Sequence, residues 1–119
     1  MYDHIGIKVK DLKAATRFYK AVLADLGHVL GSSDENGAGF GPKDAPALWL
    51  YADKKAGGGV HIAFRARSRA AVDGFHKAGV KAGGTDNGKP GLRKDYSPTY
   101  YAAFLLDPEG NNVEAVCLD

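Results

Sequence analysis

One cysteine in 119 residues means that no disulfide can form within this chain, so its core has to hold by packing alone. No stretch is long and apolar enough to read as a membrane span. The first residues show no basic segment leading into an apolar run, so no secretion signal is expected either. An excess of one charge is also missing. Sixteen Lys and Arg stand against 14 Asp and Glu, a formal net charge of +2. That surplus is too mild to argue for nucleic acid. The basic residues are scattered as Lys8, Lys10, Lys13, Arg17 and Lys20, then Arg65, Arg67 and Arg69, the spacing of a solvated face. These absences lead to the expectation of a cytoplasmic protein with neither nucleic acid nor membrane as a partner.

What is abundant is glycine, 16 residues, most of them clustered at 27–41, 57–59 and 79–91, which marks those stretches as turns and loops. A repeat is present as well. Asp3-His4-Ile5-Gly6-Ile7-Lys8 matches Val60-His61-Ile62-Ala63-Phe64-Arg65 at an offset of 57 residues. At the same offset Ala14, Phe18, Lys20, Ala21 and Gly27 recur as Ala71, Phe75, Lys77, Ala78 and Gly84. The chain therefore reads as one domain, 1–119, built from two modules of about 1–56 and 57–119.

Ile5, Ile7 and Val9 alternate with His4, Gly6 and Lys8, which predicts a strand over 3–10 with one buried face. Asp11 is placed to cap a helix over 12–26, whose apolar residues follow helical spacing up to a stop at Gly27. Residues 28–31 and 37–41 are weak strands, and Ala47–Ala52 is a stronger one. The second half repeats the order: a strand over 60–66, a Ser68 cap, and a helix over 69–82 with Val72, Phe75 and Val80 inward. A weak strand flanked by a mobile loop follows in 85–98, then strands over 99–106 and 112–118 joined by the Asp107-Pro108-Glu109-Gly110-Asn111 turn. Strand, helix, then three strands in each half argue for an α+β fold.

His4 and His61 hold equivalent places in the repeat, and modules packed about a pseudo-twofold axis would aim both imidazoles at one cavity. Glu114 lies between Val113 and Ala115 in the last strand, where an unpaired carboxylate on a buried face would be costly. Two His and one carboxylate suit Fe(II), Mn(II), Ni(II), Co(II) or Zn(II) and leave positions open for substrate. Gly6 and Ala63, the next residues on the same faces, would leave room for it.

These residues, with Phe18-Tyr19-Lys20-Ala21-Val22-Leu23 and the run Phe104-Leu105-Leu106-Asp107-Pro108-Glu109-Gly110-Asn111-Asn112-Val113-Glu114, carry a resemblance. The chain resembles the vicinal oxygen chelate superfamily: glyoxalase I, fosfomycin-thiol transferases, extradiol dioxygenases and bleomycin-resistance proteins. The resemblance implies two tandem βαβββ modules forming a curled, cavity-lined mixed sheet with helices outside, a homodimer, and a divalent metal held by His4, His61 and Glu114. Glyoxalase I has a further ligand, a glutamate, at the position where this chain has Trp49. That departure makes the chain locally more similar to the fosfomycin-thiol transferases. The implied activity is lyase, isomerase or thiol-transferase chemistry on a small substrate, anionic or a glutathione-type thiol, with dioxygenase chemistry less well supported. The alternative is a protein that sequesters a small molecule or drug without catalysis. Trp49, Tyr51, Arg93, Tyr96, Tyr100 and Phe104 are the candidate pocket residues. Tyr100 is placed to donate to a substrate oxyanion, and Lys89, Arg93 and Lys94 make the 85–98 loop basic.

Overall fold

The computed structural model describes residues 1–119. Its elements are β1 (Ile5–Val9), α1 (Leu12–Ala24), β2 (Val29–Ser33), β3 (Gly37–Gly41), β4 (Leu48–Ala52), β5 (His61–Arg65), α2 (Arg69–Lys81), β6 (Thr85–Leu92), β7 (Tyr101–Leu106) and β8 (Asn112–Cys117). They form two separate four-stranded sheets, ordered β1-β4-β3-β2 and β5-β8-β7-β6, which do not close on each other. In each sheet the first strand runs parallel to the last, and the other pairs are antiparallel.

Both helices start where their caps predict. The Asp11 carboxylate accepts from the Ala14 amide at 3.0 Å, and the Ser68 hydroxyl from the Ala71 amide at 3.1 Å. Gly27, at φ +86°, turns the chain after α1 in a conformation that costs glycine little. Each helix lays its apolar stripe on one face of its own sheet and its flank on the other helix. The result is a single core running through both modules, from Ile7, Phe40 and Leu50 through Phe18, Tyr19 and Val22 to Phe75, Leu105 and Val113.

Two expectations need correction. Val80 is not inward but 48% exposed; Gly79 faces α1 instead. At 100° per residue, position 79 continues the stripe of Val72 and Phe75, and position 80 falls off it. The second concerns 85–98, where β6 runs on to Leu92. Register shifts against β7 at Asp86/Gly88 and Gly88/Gly91 erase the alternation that would have revealed its length.

Gly79 lets the two helices approach closely. A Cβ there would lie 2.2 Å from Leu105 Cδ1 and 2.9 Å from Val22 Cγ1. Leu105 and Val22 are fully buried and have little room to withdraw. Gly79→Ala is therefore expected to lower stability by about 1–2 kcal/mol in urea unfolding, since overpacking outweighs the alanine's helix propensity. A stabilised variant would overturn this reading of the crossing.

The modules are also tied by polar contacts. Tyr19 on α1 donates to Asp107 Oδ2 at 2.5 Å, inside the core. Glu109, in the same turn, accepts from the Lys10 and Asp11 amides at 2.7 and 3.0 Å, ahead of α1. Within the second module, Asn111 braces this turn, donating to Asp107 through Nδ2 and accepting from the Val60 amide through Oδ1, both at 3.0 Å. Burial, and then the charge of Asp107, push the Tyr19 phenol far above its ordinary range. The unfolded chain therefore releases this proton above about pH 10 while the native state keeps it. Stability must fall as pH rises past that point, with Tyr19 contributing about 1.4 kcal/mol per pH unit. Denaturant titrations through this range should show a shallower decline for Tyr19→Phe. Parallel curves for the two proteins would count against it.

Candidate functional site

The helix-free face of each sheet carries the residues singled out by the sequence. On the β5–β8 sheet, Glu114 pairs with Ala63 on one side and Phe104 on the other. Glu114 is only 3% exposed although it lies on this face. Its two oxygens have different neighbours: the Tyr100 hydroxyl donates to Oε2, and His61 Nε2 lies 3.3 Å from Oε1. His61 Nδ1 lies 3.0 Å from the Asn112 carbonyl. A carbonyl only accepts, so Nδ1 carries the ring proton and, in a neutral imidazole, Nε2 is bare. Two lone pairs then face each other across 3.3 Å, a repulsion that either a proton or a metal ion between them would relieve.

The spacing suits a metal ion. Nitrogen and oxygen ligands at about 2.0–2.2 Å from one ion, at right or tetrahedral angles, lie roughly 3.0–3.5 Å apart. A histidine whose other ring nitrogen donates to a carbonyl is also the usual support for a metal ligand. His4 is prepared in the same way, since its Nδ1 meets Asp3 Oδ1 at 2.7 Å. It does not join the other two, however. No three His, Cys, Asp or Glu side chains converge within the chain. His4 sits just before β1, on the other module.

The candidate pocket residues divide in the same manner. Tyr96, Tyr100, Phe104 and Arg93 gather beside Glu114. The Tyr96 and Tyr100 rings meet edge to face at 5.0 Å, and the Arg93 guanidinium lies 5.4 Å from the Phe104 ring centre. Arg93 spends hydrogen bonds on the Gly91 and Lys89 carbonyls at 2.8 and 2.7 Å, and its charge has no carboxylate partner. Partial burial, and then its hydrogen bond to Glu114, push the Tyr100 phenol up to about 12. Its proton is committed to Glu114, where the sequence had suggested a donor to substrate.

Trp49 and Tyr51 lie on the open face of the other sheet, 45% of Tyr51 being exposed. The Trp49 ring covers Gly39 and the Tyr51 ring covers Gly6, at 2.7 and 2.8 Å from where a Cβ would stand. The space expected beside Gly6 is thus filled by Tyr51. Trp49 pairs with Gly6 as Glu114 pairs with Ala63, so it is the register equivalent of the carboxylate. Asn112 acts through its backbone carbonyl, which leaves no mark in a sequence. Asp3 is the contact that its adjacency to His4 would have signalled.

Residues 2–115 match the family model of the Glyoxalase/Bleomycin resistance protein/Dioxygenase superfamily. The chain belongs to that superfamily. Among solved structures it is similar to a glyoxalase/bleomycin resistance protein from Albidiferax ferrireducens T118, with 30% identity, TM-score 0.87 and 98% of each chain covered. A glyoxalase/bleomycin resistance protein/dioxygenase family enzyme from Burkholderia phytofirmans PsJN shares 20% identity over 98% of each chain at TM-score 0.75. A glyoxalase/dioxygenase from Nostoc punctiforme shares 18% over 100% of this chain and 91% of its own, at TM-score 0.73. These last two likenesses are of fold alone. Comparison with proteins of curated function finds no match. No helix is long and apolar enough to cross a membrane.

Proposed function

We propose that the protein is a small metal-dependent enzyme whose site combines His61 and Glu114 of one chain with His4 of a second copy. The observation that carries this is His61 Nε2 opposed to the buried Glu114 Oε1 at 3.3 Å, with His61 Nδ1 held by the Asn112 carbonyl. The need for a second copy follows from the layering. The helices pack against each other, so the two open faces of one chain cannot meet. A homodimer that sets the first module's open face on the partner's second module would enclose a cavity with Trp49 and Tyr51 opposite Glu114.

A divalent cation of the Fe, Mn, Ni, Co or Zn group, when bound, would polarise an oxygen of a small substrate. Tyr100 would hold Glu114 in place through Oε2, and the Asn112 carbonyl would fix the tautomer of His61. Arg93, without an acidic partner, would favour an anionic substrate or a glutathione-type thiol. Thiol transfer fits the local pattern better than glyoxalase-type isomerisation, because Trp49 cannot supply the second carboxylate that a proton-shuttling base requires.

Mixing two inactive variants tests the arrangement. His4→Ala and Glu114→Ala chains, unfolded together and refolded, should yield mixed dimers holding one intact site, and metal content should return to about one ion per mixed dimer. Neither variant alone should retain metal. Failure of the mixture to recover metal, while wild type binds one ion per chain, would exclude the shared site. A wild type that takes up none of these metals would favour a sequestering protein, a reading supported by the exposed ring of Tyr51 beside Trp49.

A further inference from the structure

β2 and β6 hold equivalent places at the ends of their sheets, but the two edges are finished differently. β6 carries Lys89, Pro90 and two register shifts against β7, devices that keep an edge from pairing with another chain. β2 reads Val29-Leu30-Gly31-Ser32-Ser33, with no charge and no proline. Its single register shift, between Leu30 and Ser32, does not spoil the edge. The Gly37 carbonyl accepts from the Asp34 amide at 3.0 Å, while the Phe40 carbonyl turns the other way, to the Ala47 amide at 2.8 Å. By the alternation of an antiparallel ladder, Leu30, opposite Phe40, and Ser33, opposite Ala38, then aim their amides and carbonyls out of the sheet. Ala38 and Phe40 are two residues apart, so the outward groups keep the spacing that another strand needs.

The groove beside this edge is ordered by charge. The pairings set β1, β4 and β2 parallel, so α1, the crossover from β1 to β2, runs back against β2. Arg17 and Lys20 therefore line the groove toward the Leu30 end, and Asp34 and Glu35 lie at the other end, beyond Ser33. None of these four side chains makes an ion pair within the chain. Lys10, Lys13 and Asp11 also lie at the second end, which leaves it with one more acid than base. A groove of one sign would repel a copy of itself. A groove with opposite ends complements its own image turned by a half rotation.

We propose that β2 pairs antiparallel with β2 of a second copy, about a twofold axis between Gly31 and Ser32, Leu30 of each strand lying opposite Ser33 of the other. The rotation carries Glu35 of each copy toward Arg17 and Lys20 of the other, and it joins two four-stranded sheets into one of eight. The contact uses a sheet edge and neither open face. It is separate from the metal-sharing dimer and doubles whatever assembly the open faces make.

Sedimentation equilibrium of the full-length protein, with Ser33→Pro beside it, reads the mass. The proline removes the outward Ser33 amide and no bond of the β2–β3 ladder. Wild type is expected at twice the mass of the variant: four chains against two where the open faces also pair, two against one where they do not. Equal masses overturn the proposal. The charge order has a check of its own, which decides alone should Ser33→Pro fail to fold. Glu35→Lys should weaken the edge association about tenfold, since exposed attractions on both sides of the axis become repulsions. Adding Lys20→Glu should restore the wild-type mass at the same concentration. An association unmoved by Glu35→Lys, or not restored in the double variant, overturns the pairing about this axis.

Discussion

Removing the Glu114 carboxylate, as Glu114→Ala, is expected to weaken divalent metal binding by at least about 100-fold, with the dimer still assembled. The expectation rests on the proposed site and on two features of the structure. Glu114 is buried, so its charge is only tolerable with compensation, and its Oε1 is left free toward His61 while Tyr100 occupies Oε2. Loss of the carboxylate removes one of three donors outright, whereas loss of its support is milder. Tyr100→Phe should cost about tenfold, within the range seen when an outer partner of a metal ligand is lost. Competition with a fluorescent zinc chelator measures both. The order matters as much as the size: a Tyr100→Phe protein that loses metal as completely as Glu114→Ala would make Tyr100 the ligand and refute the assignment.

Asp107→Ala should be the most destabilising single change away from that site, at about 3–5 kcal/mol. Asp107 is 4% exposed and accepts four hydrogen bonds: from the Tyr19 hydroxyl, from the Glu109 and Asn111 amides at 2.8 and 2.9 Å, and from Asn111 Nδ2. Truncation strands the Tyr19 hydroxyl in the core and frees the turn that carries Glu109. Asp107→Asn keeps an acceptor oxygen and should cost markedly less. Guanidinium unfolding of the three proteins checks the ranking, and a loss under about 1 kcal/mol for Asp107→Ala would show that the turn is not a tie between modules.

The fold was legible where periodicity and capping speak locally. Asp11 and Ser68 announced the helices, the alternation in Ile5-Gly6-Ile7-Lys8-Val9 announced a strand, and the 57-residue offset announced two modules. The last of these is reproduced in the matching registers of Gly6 with Trp49 and Ala63 with Glu114. What stayed hidden was relational. Nothing in the sequence around Tyr19 points to Asp107, 88 residues away, because a buried hydroxyl and a carboxylate find each other only once α1 lies on α2. The His61–Glu114 juxtaposition could be anticipated from resemblance, but the distance of His4 could not. Equivalence in a repeat says that two residues sit alike in their own modules and says nothing of whether those modules face each other or stand back to back.

The crossing of the two helices bears on the history of the chain. Val22 and Gly79 are 57 residues apart, so they are counterparts in the repeat, and they touch. Counterparts in contact mark the symmetry axis of the duplication. In an ancestor made of two identical single modules, both places would have held the same residue: two valines would collide there, and two glycines would leave a gap. A single chain carrying both modules can make one side large and the other small. The Val22–Gly79 pair is thus a large–small complement that two identical modules could not provide, and a designed half-length module would need a residue of intermediate size at that place to pair with itself.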